Sequence, residues 1–183
     1  DIYLPDIKTF DKELSAKVFK APEYPIIAQK AIRYMTRHSQ TSCTDPSGQV
    51  HTGPGALERL CENPLDHPMK SGLILRHLVL PDRLFDTANI FRWYSQELKG
   101  SVILSIMSQY TPVGDRAHIP ALRYLNESEY TAVSELLEQF DIDQGFFQDL
   151  LPGSDWLPDF NRLNPFSSEL SKPVWHWKDG FVV

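Results

Sequence analysis

Cysteine, positive charge and long apolar runs are all scarce in this chain of 183 residues. Its two cysteines, Cys43 and Cys61, exclude a disulfide scaffold, and a reducing cytoplasm is the simpler expectation. No stretch approaches the roughly 18 consecutive apolar residues of a membrane-spanning helix, and no secretory leader pattern is visible. Lysine and arginine number 18 against 24 aspartates and glutamates, a net charge of -6. The basic residues are also scattered, which argues against nucleic acid as a partner, because a basic face supplies most of such affinity. G-x-S-x-G is missing, and Ser105, Ser108 and His118 form no recognisable nucleophile arrangement. There is no repeat of fixed period and no low-complexity tract.

What is present is an ordinary globular composition, 42% hydrophobic and 23% charged, long enough for one domain with a core. "IYLPDI" at 2–7 reads as a strand and "DKELSAKVF" as a short helix. "EYPIIAQKAIRYMTRHSQ" reads as a longer helix with Pro25 in its first turn and Ile27, Ala28, Ala31, Ile32, Met35 and Tyr34 facing the core. Residues 41–71 are rich in turn formers and are expected to be a surface excursion with a brief helix at "ALERLCE". "GLILRHLVLP" reads as a buried strand that carries a cation, Arg76, in its middle.

A helix follows, with Leu84, Ala88, Phe91 and Leu98 on its stripe and Gly100 as its stop. "SVILSIMSQY" is the next strand. "NESEYTAVSELLEQF" is a helix whose Asn126 and Glu129 have capping-box spacing and whose stripe is Tyr130, Val133, Leu137 and Phe140. "GFFQDL" is a last short strand. The tail, 151–183, is rich in proline and aromatics, with a hairpin expected around Asp179-Gly180. Strands alternating with amphipathic helices point to an α/β fold of parallel β/α units over residues 1–150.

Parallel β/α folds carry their chemistry at the C-terminal ends of strands. The first strand ends Asp6-Ile7-Lys8, and alternation puts Asp6 and Lys8 on one face. The second carries Arg76, and the third ends Ser108-Gln109-Tyr110. If the strands are neighbours, Asp6, Lys8, Arg76 and Gln109 or Tyr110 converge. Two cations and one carboxylate suit a ligand that bears a carboxylate and an amine. An unpaired buried arginine costs on the order of several kcal/mol, so Arg76 needs a partner, either a protein acid such as Asp6 or a ligand. His77, on the opposite face, is expected to pack under a helix.

"DIYLPDIK", "GLILRHLVLP", "LSIMSQYTP" and "NESEYTAVSELLEQFDIDQGFFQ", in this order, resemble the C-terminal half of a radical S-adenosylmethionine (SAM) protein of the pyruvate formate-lyase activating enzyme-like group. The resemblance covers most of residues 1–148 and is weakest over 41–71, which reads as an insertion. It implies the C-terminal part of a partial TIM-type (β/α)6 barrel, a [4Fe-4S] cluster held by a CxxxCxxC loop, and SAM, whose reductive cleavage gives a 5'-deoxyadenosyl radical. In activases that radical acts on a glycyl-radical enzyme, so the implied partner is such an enzyme or another protein substrate.

By the same resemblance, Asp6 and Lys8 match a DxK motif near the amino and carboxylate groups of the SAM methionine. Arg76 matches a strand arginine near the SAM carboxylate. Gln109 or Tyr110 falls where the activating enzymes place a histidine.

CxxxCxxC is missing, and an iron-sulfur cluster normally needs three or four thiolates. The chain is therefore expected to lack radical activity by itself. It opens without methionine inside what reads as a strand, so a preceding part is expected. The open sheet edge near 2–7 is expected to promote self-association. Two other readings stay open: a cluster-less binding module or degenerate relative that engages a partner through the tail and 41–71, and an ordinary β/α enzyme that binds a carboxylate metabolite. Cys43, His51, Cys61 and His67 lack the paired spacing of a zinc site. "HTGPGALERL" reads as a turn into a helix rather than a phosphate loop. Trp156, Phe160, Phe166, Trp175 and Trp177 of the tail either pack across the barrel or form a partner surface.

Overall fold

A computed structural model describes residues 1–112, 123–151, 157, 175–176 and 180–181. The stretch starts with strand β1 (Ile2–Tyr3) and a short helix α1 (Lys12–Leu14), capped by Asp11, whose carboxylate accepts from the Glu13 and Leu14 N–H groups. A π-helical turn, Ser15–Phe19, follows and stops at left-handed Lys20, and then comes helix α2 (Tyr24–His38), with Pro25 in its first turn. Next are β2 (Ser42–Thr44), β3 (Val50–Thr52) and α3 (Pro54–Glu62). The remainder runs β4 (Met69–Leu78), α4 (Leu84–Glu97), β5 (Ile103–Met107), α5 (Glu127–Gln139) and β6 (Gly145–Phe147). A separate antiparallel pair, β7 (Trp175–His176) and β8 (Gly180–Phe181), sits where the hairpin was expected.

The alternation of strand and helix gives an α/β fold whose sheet curls into a half-barrel. β1, β4, β5 and β6 are parallel in that spatial order, whereas β2 pairs antiparallel with both β3 and the start of β4. The sheet is thus mixed rather than built of parallel units alone. β1 is shorter than the expected 2–7. After Pro5 the chain regains the ladder only at Asp6, which bridges Arg76.

One face of the sheet is covered by helices. Leu73, Leu75 and Ile106 pack with Ile90 and Phe91 of α4 and Val133 of α5 in the main core. The stripe of α4 is centred on Thr87, Ile90, Phe91 and Tyr94, with Leu84 only partly buried. Gly100 has φ +79, in the left-handed region a helix stop requires. In α5 the capping box is complete: the Asn126 side chain accepts from the Glu129 N–H, and Glu129 accepts from the Asn126 N–H.

α2 departs from its expected face. Ile32 is buried and Ala28 and Met35 pack on the core, but Ile27 is 61% and Tyr34 65% exposed. Tyr34 stacks instead on His38, one turn along. An apolar stripe wider than the contact it meets leaves its flanks in solvent.

Residues 41–71 hold more than a loop and a brief helix. β2 joins the main sheet, and α3 lays Ala56, Leu57 and Leu60 against Cys43 and Ile103, with Ile74 and Met69 alongside. This second core covers the lower half of the sheet face opposite α4 and α5. The tail aromatics Trp156, Phe160, Phe166 and Trp177 lie outside the described residues, as does His118.

Candidate functional site

β4 is two-faced rather than buried throughout. Leu73, Leu75 and His77 point to the helices, while Ile74, Arg76 and Leu78 face the other way and are half-exposed. The Arg76 side chain keeps 40% of its surface in solvent, so the cation stands near the C-terminal end of β4, at the open face and not in the core. Parallel register sets Asp6, Arg76, Ser105 and Phe146 side by side across four strands. α3 closes this face below, and among the described residues no helix covers it at the strand C-termini.

Asp6, Lys8 and Arg76 meet there. Asp6 Oδ1 lies 2.8 Å from Arg76 Nε, and Lys8 Nζ donates to Asp6 Oδ2 at 2.9 Å. The Asp6–Arg76 contact is close but poorly aligned: both atoms are buried, and neither has a well-aligned hydrogen-bond partner among the described residues. Two cations share one carboxylate, which leaves the cluster with a net positive charge.

The backbone under the cluster is firmly held. Arg76 N–H donates to Pro5 O and Ile7 N–H to Arg76 O, each at 2.9 Å. The Tyr24 hydroxyl accepts from Lys8 N–H and donates to Asp6 O. Burial raises the Tyr24 pKa, so the phenol stays protonated for that second bond. From the helix side His77 Nδ1 meets Ile7 O at 2.8 Å and Nε2 meets Thr87 Oγ1 at 3.1 Å. A carbonyl can only accept, so Nδ1 carries the proton and Nε2 accepts from the threonine. Complete burial holds the imidazole neutral, with its pKa lowered to about 4. His77 therefore packs beneath a helix as expected. Asp86, near the start of α4, accepts from the Thr9 hydroxyl and from Phe10 N–H and ties down the chain just beyond Lys8.

Gln109 continues the alternation of Ser105 and Met107 on the open face. Its Nε2 reaches Met107 Sδ at 3.7 Å, and its Oε1 accepts from Gln148 Nε2 at 3.3 Å. Tyr110 is buried in a small apolar cluster with Leu14 and Leu80. Gln109 thus shares the open face with the charged cluster, whereas Tyr110 packs with Leu14 and Leu80. Tyr24 and Gln148 were not singled out from the sequence, and Ser105 was weighed there only as a nucleophile. For Ser105 and Gln148 a signal existed in strand alternation through "LSIMSQ" and "FFQ", but it needed the register to be read.

The thiols do not gather. Cys43 is fully buried in the second core, Cys61 is half-buried on α3, and burial raises the pKa of both. Among the described residues no three histidine, cysteine, aspartate or glutamate side chains could share a metal ion, and no helix is long and apolar enough to cross a membrane. No family model matches the chain, and neither does any curated protein or solved structure.

Proposed function

We propose that the chain forms the C-terminal part of a partial TIM-type (β/α)6 barrel of the radical SAM kind, similar to the activases of glycyl-radical enzymes, and supplies the wall that binds the SAM methionine. The observation that carries this reading is the meeting of Asp6, Lys8 and Arg76 at the C-terminal ends of adjacent parallel strands, with one positive charge in excess. A zwitterion fits that cluster: Arg76 and Lys8 take the carboxylate, and Asp6 takes the amine.

A [4Fe-4S] cluster does not fit these residues. The chain has two cysteines in all, and Cys43 is sealed in a core. Any cluster would be held by residues outside this sequence, and the chain alone has no radical chemistry. With a cluster held outside this sequence as the reductant, bound SAM would supply the 5'-deoxyadenosyl radical that abstracts hydrogen, and the partner would be a glycyl-radical enzyme or another protein substrate. The exposed edge at Ile2, Tyr3 and Leu4 supports self-association of the isolated chain.

A second reading has its own support. Asp6 already pairs with Arg76, so a simple carboxylate metabolite could take up the surplus charge without any cluster. Titration calorimetry with SAM and with benzoate separates the two. The first reading expects weak SAM binding that falls about tenfold or more in Arg76→Met, as for loss of a charged hydrogen bond. SAM affinity untouched by Arg76→Met, in a variant with unchanged circular dichroism, would overturn it. Benzoate binding that depends on Arg76, with no SAM binding, favours the second.

A further inference from the structure

At the C-terminal ends of β5 and β6 a cleft of about 280 Å³ is lined by Gln109, Phe147, Gln148, Asp149 and Leu151. Its wall carries two carboxamides in contact, Gln148 Nε2 donating to Gln109 Oε1 at 3.3 Å. Each carboxamide has two N–H donors and one acceptor oxygen, and the pair spends little of that capacity. Among the described residues Gln109 Nε2 reaches only a thioether sulfur, a weak acceptor. Gln148 Oε1 is buried and has no donor among the described residues. A buried acceptor left without a donor is destabilising, and a ligand N–H would relieve it. The torsion that orients a terminal carboxamide is soft, so the oxygen can turn toward the cleft at small cost.

The backbone behind the pair is fixed. The Ser108 hydroxyl lies 3.0 Å from Gln148 O and 2.9 Å from Asp149 O, which clamps the end of β6 to that of β5. The two glutamines are therefore presented by a rigid strand pair, with Phe147 and Leu151 as apolar walls.

We propose that this cleft is a binding site for a small, planar, neutral ligand that presents an amide edge, one donor beside one acceptor. The acceptor of Gln148 takes the ligand N–H, and the donor of Gln109 takes the ligand C=O. None of Asp6, Lys8 and Arg76 lines the cleft, and its assignment does not depend on the SAM reading.

Benzamide and acetophenone test it, because both are neutral, share size and shape, and differ in that only benzamide carries N–H donors. In the full chain labelled with ¹⁵N, benzamide is expected to shift the side-chain NH2 signals of Gln109 and Gln148 saturably, in the millimolar range. Acetophenone, an acceptor only, is expected to leave them in place at the same concentration. Gln148→Met removes both polar groups at similar volume and should weaken benzamide binding about fivefold, the factor one hydrogen bond is worth. Gln109→Met serves as a second, independent variant if the first perturbs the backbone spectrum. Equal responses to the two probes, no saturable shift, or full affinity in a folded methionine variant would overturn the proposal.

Discussion

Asp6 Oδ1 stands 2.8 Å from Arg76 Nε, across the parallel bridge that joins their backbones. The arginine near the C-terminal end of β4 thus has a partner within the chain itself, and its strand position is half-open to solvent. Lys8 shares the same carboxylate, so Asp6 is the hinge of the cluster.

Asp6→Asn removes the charge that both cations use. For a partly exposed pair the loss should be about 1 kcal/mol in urea unfolding, and a double-mutant cycle with Arg76→Met should show coupling of about 0.5–1 kcal/mol. The same substitution raises the surplus positive charge, so benzoate should bind more tightly while SAM, deprived of an acceptor for its amine, binds more weakly. Parallel changes for the two ligands would remove the amine-binding role assigned to Asp6.

Much of this frame was legible in the sequence because local signals and packing agree. The Asn126–Glu129 box, Pro25, and the apolar runs of β4 and β5 each act on their own segment, and each element formed near its expected bounds. The convergence of Asp6, Lys8 and Arg76 followed from alternation once strand adjacency held. The role of 41–71 was not legible. Cys43, Leu57 and Leu60 become core only by meeting Ile103, more than forty residues later, and turn-rich composition conceals such a contact. Which side of α2 is buried was also hidden: Ile27 and Ile32 are equally apolar, and only the packing partner decides between them.

His77 makes stability depend on pH. Burial lowers its folded pKa to about 4, below the ordinary value of 6.5. A depressed histidine pKa means that the unfolded chain takes up the proton first. The stability is fully present above pH 6.5 and is lost as pH falls toward 4, by up to about 3 kcal/mol for this one group. Urea unfolding between pH 7 and pH 4 should show this fall in the wild type. In His77→Leu, less stable throughout, that part of the slope should be missing; a slope unchanged by the substitution would assign it to other groups.

Glu129 locks the loop after β4 to the start of α5. Its carboxylate receives Arg123 Nη1 at 2.7 Å, Arg123 Nη2 at 2.9 Å and Asp82 N–H at 2.7 Å, and Arg123 also reaches Asp82. The Arg123 guanidinium is the main reason its pKa falls from 4.5 to about 2. The sign is that of a depressed acid: stability is present above pH 4.5 and is lost as pH falls toward 2. Glu129→Gln keeps the cap but loses the ion pair, and should cost about 1–2 kcal/mol at pH 7. Hydrogen exchange at the first turn of α5 should quicken with it. An unchanged midpoint in urea would show that solvent already offsets the pair.

α3 is the lid on the lower half of the open face, and its packing can be tested by one truncation. Leu57 is 1% exposed and Leu60 3%, and they meet Cys43 and Ile103 rather than the main core. If 41–71 were a detachable excursion, Leu57→Ala would leave the barrel strands unaffected and lower stability only slightly. The shared contact with Ile103, a β5 residue, predicts otherwise: a loss of about 2–4 kcal/mol, the usual range for a buried leucine. The loss should be global, seen equally by a probe in α3 and by amide protection of β4 and β5. Because Ile74 lies in the same cluster two residues before Arg76 in β4, loosening α3 should also blur the Asp6–Arg76 contact and weaken benzoate binding without any change to a charged residue. Melting of α3 alone, with β5 amides still protected, would make the second core an independent unit and detach it from the site above it.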